Sequence, residues 1–160
     1  MVLGNQQVVG EATTTIHRPV ESVFHFIADE FEANYPRWSP EVIELKVLSA
    51  GALDCDWFAR QTRVDHGHKT TSTFRVADIQ RPHWIVFSGV SAEFLCTYAL
   101  ERVGGSNANA RLRFRFEFPR LELRMRPFRK LIQTSVQEGA ERTVYNLKGL
   151  VEQAHASTPP

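Results

Sequence analysis

Two stretches decide the fold: Ala110-Arg-Leu-Arg-Phe-Arg-Phe-Glu-Phe118, and Pro127-Phe-Arg-Lys-Leu-Ile-Gln-Thr-Ser-Val-Gln-Glu-Gly-Ala-Glu-Arg-Thr-Val-Tyr-Asn-Leu-Lys-Gly-Leu-Val151. In the first, Leu112, Phe114, Phe116 and Phe118 alternate with Arg111, Arg113, Arg115 and Glu117. A period of two with that contrast is a strand with one dry face and one wet face. In the second, Phe128, Leu131, Ile132, Val136, Ala140, Val144, Leu147, Leu150 and Val151 recur at helical spacing. Pro127 suits a first turn, so the pattern predicts a helix of roughly seven turns from Arg126 to about Gln153. A sheet dry on one side and a long amphipathic helix have one economical solution, which is to cover each other.

Working backward, Val8 to Ile16 reads as a strand, ended by His17-Arg-Pro19. Val20, Val23, Phe24, Ile27 and Ala28 then give a short amphipathic helix. Asn34-Tyr-Pro-Arg-Trp-Ser-Pro40 holds two prolines and allows a turn or one short helical piece. Further strands are predicted at Val42–Ser49, Cys55–Val64, Lys69–Ile79, Trp84–Val90, Phe94–Val103 and Ala110–Phe118. Asp65-His-Gly-His68 is the turn of a hairpin, with Gly67 supplying unusual dihedrals. Short connections favour antiparallel pairing. The predicted class is α+β: a curved, seven-stranded antiparallel sheet around a long C-terminal helix, with two short helices after the first strand.

The chain has 160 residues, 42% apolar and 23% charged. These values fit one domain over residues 1–160, with an ordered core at about 8–153 and short tails. The formal net charge of +1 implies no global pull toward nucleic acid. The charge is nevertheless uneven. Residues 11–56 carry nine acidic and three basic side chains, whereas 111–130 carry eight basic and two acidic. The two cysteines, Cys55 and Cys96, do not make a disulfide framework. No secretory signal or membrane-spanning run is present, which predicts a cytoplasmic protein.

Three further stretches carry a family resemblance: Ile16-His-Arg-Pro-Val-Glu-Ser-Val-Phe24, Pro36-Arg-Trp-Ser-Pro40 and Asn146-Leu-Lys-Gly-Leu-Val-Glu152. In this order, and with this order of elements, the chain resembles the helix-grip superfamily of START/Bet v 1-like (SRPBCC) proteins. That group includes the major birch pollen allergen, the steroidogenic-acute-regulatory lipid-transfer domains and the polyketide cyclase/dehydrase group. The resemblance spans about residues 8–153. It implies an interior cavity for lipids, polyketides or other apolar or aromatic molecules. It does not imply one reaction, because one fold hosts carriers, enzymes and regulators.

The candidate ligand-binding residues follow from the dry faces. The strands offer Phe74, Val76, Phe94, Tyr98, Leu112, Phe114 and Phe116. The helix offers Leu131, Ile132, Ser135, Val136, Gly139 and Thr143, with Gly139 opening space on the apolar stripe. Tyr98, Ser135 and Thr143 are the polar groups suited to orient a ligand. The competing reading is that all of these simply pack as core. Trp38, between prolines, either gates the cavity or caps the core. Trp57 is a further candidate for ligand binding with Trp38; it shares one face with Cys55, Ala59 and Gln61, while Phe58, Arg60 and Thr62 share the other, and the pattern alone does not say which faces in. Cys96 reads as a buried small hydrophobe.

Other chemistry is thinly represented. His66 and His68 with Asp65 fall short of a zinc ligand set, so no metal is expected. His17, His25, His83 and His155 read as surface groups. No cofactor motif is present. Arg124, Arg126, Arg129 and Lys130 cluster at the predicted helix start, where the macrodipole already disfavours cations. They either pair with the acidic half or attract an anionic group. With no titratable group placed firmly on a dry face, binding or transport of a small hydrophobic molecule is favoured. The alternative is a cyclase/dehydrase-type enzyme acting in the same cavity.

Overall fold

The computed structural model describes residues 7–156, with side chains through Ala154. The predicted tails over residues 1–6 and Ser157–Pro160, and the surface placement of the His155 side chain, lie outside the described residues. Strand β1 (Val8–Ile16) leads into α1 (Val20–Phe24), a wide π-type turn (His25–Asp29) and α2 (Phe31–Trp38). Strands β2 (Val42–Val47), β3 (Phe58–Asp65), β4 (His68–Gln80), β5 (Trp84–Gly89), β6 (Leu95–Arg102) and β7 (Ala110–Phe118) follow. A 3₁₀ segment (Leu123–Phe128) then runs into α3 (Arg129–Ala156).

The seven strands form one antiparallel sheet in the order β1-β7-β6-β5-β4-β3-β2. Register irregularities at Val76/Asp78 and Val42/Glu44 bend the long strands and curve the sheet. At the β3–β4 hairpin both His66 (φ 52°) and Gly67 (φ 77°) take left-handed dihedrals, as a tight two-residue turn requires. These features match the helix-grip architecture that the sequence predicts.

Helix α3 lies along the free edge of β1, packing on β1 and less extensively on β7 and α2. Edge strands carry unpaired backbone groups that need cover. Here α3 supplies it from successive turns. The Gln133 amide bonds both the N–H and the carbonyl of Val9, and Gln137 does the same for Glu11, all within 2.5–3.3 Å. Lys148 Nζ donates to the Thr15 carbonyl at 2.6 Å, and the His17 N–H donates to Glu152 at 2.9 Å. The match is geometric: four helical residues rise about 6 Å, and two strand residues span about 6.6 Å. Between the two clasping amides the backbones nearly touch. A Cβ added to Gly10 would stand 2.5 Å from the Val136 carbonyl oxygen.

This placement corrects the predicted helix at its start. Pro127 sits inside the tighter 3₁₀ lead-in, where its missing N–H is tolerated, and α3 begins only at Arg129. Phe128 and Leu131 are not part of the buried stripe. They are 56% and 67% exposed: Phe128 precedes α3 in the 3₁₀ lead-in, and Leu131 lies on the outer face of α3 with Glu138 and Tyr145, at spacings of seven.

Candidate functional site

The concave face is filled at one end and open at the other. At the end near Ile16, the last turns of α3 bury Ala140, Val144, Leu147 and Val151, and β7 buries Ala110, Leu112 and Phe114. Toward the opposite end, Ile132 and Val136 on α3 and Phe116 and Phe118 on β7 are only half-buried. The same holds on β6, where Tyr98 and Leu100 are buried and Cys96 is not fully covered. Side-chain cover on the concave face thus falls off from the Ile16 end toward the other, and this less covered stretch is termed the trough.

The floor is an aromatic cluster with Phe31 at its hub. Phe31 stacks on Tyr35 (4.7 Å between ring centres) and Phe87 (4.9 Å). It meets Trp38, Trp57 and Phe74 edge-on. Trp38 is 1% exposed, so it caps the core and does not gate an entrance. Its indole N–H donates to the Tyr98 hydroxyl at 3.2 Å.

Of the predicted binding residues, Trp38, Trp57, Phe74, Val76, Tyr98, Leu112 and Phe114 belong to the packed floor and its surroundings. Phe94 and Phe116, whose rings stack at 5.6 Å, and Ile132, Ser135, Val136, Gly139 and Thr143 are half-buried along the open part. Leu131 points away, to solvent. Thr143 bonds back to the Gly139 carbonyl at 2.8 Å, so its hydroxyl serves the helix. Gly139 does leave room: a Cβ there meets only the tip of Arg142, at 3.9 Å.

The facing of β3 is settled by burial. Trp57, Ala59 and Gln61 point inward, and Phe58 and Arg60 outward. Extending that parity by two residues brings Arg63 to the concave side. Arg63 is the polar centre of the trough, and the sequence reading missed it. Its guanidinium donates to the Tyr35 hydroxyl (3.2 Å) and the Ser39 hydroxyl (3.2 Å) and forks onto Asp65 (3.1 and 3.2 Å). The Tyr35 hydroxyl donates to Gln61 (2.7 Å), whose amide reaches the Ser72 hydroxyl at 3.4 Å. Tyr35 and Phe31 were also missed. With Trp38 they stand at i, i+4 and i+7 spacing, a signal masked by Pro36 and by the phase shift of the π-type turn.

Burial reinforces the protonated state that the two phenols and the thiol already hold at neutral pH. Burial pushes Tyr35 up to about 12, against a partial opposing pull from Arg63. Burial likewise pushes Cys96 up to about 12, and Tyr98 well above its ordinary value. At neutral pH these three groups are protonated and do not act as bases.

Two surface hollows lie outside the trough. One, of about 410 Å³, is lined by Val20, Glu21, Pro82, His83, Glu101 and Arg102. The other, of about 530 Å³, lies beside Arg37, Pro40 and the Tyr145–Gln153 part of α3. The basic side chains near the start of α3 are held locally: Arg124 pairs with Glu122 at 3.0 Å, and Arg129 donates to the Gln7 carbonyl at 2.9 Å. His66 and His68 are exposed on their turn.

Residues 7–152 match the family model described as polyketide cyclase/dehydrase and lipid transport. The chain belongs to this family. Solved structures agree on its fold. A Streptomyces protein, the Zhui aromatase/cyclase, is similar at a TM-score of 0.77 and 15% identity, over 94% of this chain and 97% of that one. A Thermus thermophilus protein is similar at 0.75 and 20% identity, over 94% and 99%. The Panax ginseng major latex-like protein 151 is similar at 0.66 and 10% identity, over 96% and 99%. No curated protein matches the chain in sequence. Among the described residues, no helix is long and apolar enough to cross a membrane.

Proposed function

We propose that the chain binds a small, largely apolar, ring-bearing molecule in the open part of the trough. One observation carries this reading: the Arg63–Tyr35–Gln61–Ser72 hydrogen-bonded chain stands on the concave face where the aromatic floor gives way to half-buried side chains. A mostly apolar wall with a few convergent polar groups is what orients a small ligand. Phe94, Phe116, Ile132, Val136 and the space beside Gly139 supply the wall. An anionic substituent on the ligand would be drawn toward Arg124, Arg126, Arg129 and Lys130. The family description supports both a carrier and a cyclase/dehydrase. The carrier is preferred because it needs no general base, and Tyr35, Cys96 and Tyr98 supply none at neutral pH.

Native mass spectrometry of the purified protein tests for a retained small molecule. Displacement of 1-anilinonaphthalene-8-sulfonate then locates the site. Gly139→Phe, which fills the free space, is expected to weaken the probe about tenfold, equivalent to about 1.4 kcal/mol. Unchanged affinity in that variant would sink the trough as the binding site.

A cyclase/dehydrase-type enzyme is the second reading, favoured by the 3.2 Å contact of the Arg63 guanidinium with the Tyr35 hydroxyl. A cation backing a phenol can hold an enolate oxygen that forms in a polyketide-like substrate. Tyr35→Phe would then lower turnover of a poly-β-ketone thioester about a hundredfold, with little change in its affinity. Equal turnover in the wild type and in buffer removes this reading.

A further inference from the structure

We propose that the segment 120–131 seats the protein on an anionic lipid surface. Of the ten large apolar side chains exposed among the described residues, four fall within nine consecutive positions: Leu123 (74%), Met125 (37%), Phe128 (56%) and Leu131 (67%). Single exposed leucines are ordinary, but a concentration of this kind on one projecting segment marks a contact surface. Leu121 alone turns inward, 4% exposed, and anchors the segment to the body. Pro127 stiffens the turn between them.

The charges around this ridge are predominantly basic, and Arg124 pairs with a carboxylate of the segment, Glu122, at 3.0 Å. Arg120, Arg124, Arg126, Arg129 and Lys130 stand against the single acid Glu122. Arg126 and Arg129 are held by backbone carbonyls, of Leu121 at 3.3 Å and Gln7 at 2.9 Å. These bonds cost no positive charge. The N-terminal end of the 28-residue α3 adds its dipole in the same sense.

An anionic bilayer satisfies both halves of the segment at once. Leu123, Met125, Phe128 and Leu131 enter the boundary between headgroups and acyl chains, while the long basic side chains reach the headgroups. An acidic protein would neutralise the arginines but would need a matching apolar hollow for the ridge. The segment joins β7 to α3, next to half-buried Phe116 and Phe118, so docking turns the open end of the trough toward the lipid. Docking itself does not depend on what the trough holds.

Vesicle flotation tests this with the full chain. Vesicles of phosphatidylcholine alone are compared with phosphatidylcholine–phosphatidylglycerol mixtures, at low and high salt. Association with the mixed vesicles that fades as salt rises is expected. Phe128→Ser with Leu131→Ser should lower the partition at least about tenfold. Arg124→Gln with Lys130→Gln should lower it about fivefold per charge, on mixed vesicles only. Both variants change exposed side chains, and circular dichroism checks that they fold. Equal association with neutral and mixed vesicles, or none, overturns the proposal. So does full binding by the apolar variant when the charge variant has lost it, the result expected of a patch for an acidic protein.

Discussion

The two ends of the trough share one sequence pattern and differ in depth. Along α3 the stripe Ile132, Val136, Ala140, Val144, Leu147, Val151 keeps helical spacing throughout, yet only its last four members are buried. Along β7 the alternation is equally regular, yet Leu112 and Phe114 are buried and Phe116 and Phe118 are not fully covered. The difference comes from a third layer. Helices α1 and α2 follow directly from the Ile16 end of β1 and close that end with Val23, Ile27, Phe31 and Trp38. Periodicity says which face is dry; the extra layer decides whether that face becomes core or remains a site.

The largest effect expected from this contrast is in stability. Leu147→Ala removes a side chain with no exposure and is expected to cost about 3 kcal/mol. Ile132→Ala, at the half-buried end, is expected to cost about 1 kcal/mol or less. Denaturant unfolding of the two variants checks this, and equal costs would erase the distinction between the ends.

Next in size is Gly10→Ala, at the hinge between the two regimes. The new methyl would meet the Val136 carbonyl carbon at 2.7 Å and its oxygen at 2.5 Å. Backbone cannot swing aside as a side-chain tip can, so α3 must lift from β1. A cost of about 2 kcal/mol is expected, with faster amide exchange at Val9 and Glu11, whose N–H groups the Gln133 and Gln137 amides cover. Protection unchanged at those two amides would mean that the helix is not held there by contact.

How much of this was legible follows the same division. The strands, the hairpin at residues 65–68 and the long helix are written in local periods of two and 3.6, and they stand where the sequence places them apart from their ends, as with β3 starting at Phe58 and α3 at Arg129. The floor was read only partly, because Phe31 and Tyr35 belong to a short helix whose phase is reset by a π-type turn and interrupted by Pro36. Arg63 was hidden for another reason. An arginine on a strand is assigned to water by default, and its partners make the inward position tolerable: Asp65 two residues on in the same strand, and Tyr35 and Ser39 from the distant α2 segment. Exposure of Phe128 depends on the 3₁₀ lead-in that delays α3, which the continuous apolar spacing conceals, whereas Leu131 shares the outer face of α3 with Glu138 and Tyr145.

The smallest effect separates the two ends by pH. At the open end α3 holds β1 through neutral amides, Gln133 and Gln137; at the closed end it does so through Lys148 and Glu152. Partial desolvation would raise the Glu152 pKa. Hydrogen bonds from Lys148 and from the His17 N–H outweigh it and hold the carboxyl at about 2, below its ordinary 4.5. A depressed folded-state pKa contributes stability that is present above 4.5 and is lost as pH falls toward about 2. Because the site is partly open to solvent, the contribution is about 1 kcal/mol. Glu152→Gln should therefore be less stable than the wild type at neutral pH by about that amount, and the gap should close across this acid window. Gln133→Leu should show a deficit that does not change over the same window. Parallel pH profiles for Glu152→Gln and the wild type would remove the charged clasp as the device that distinguishes the closed end, leaving packing alone to account for it.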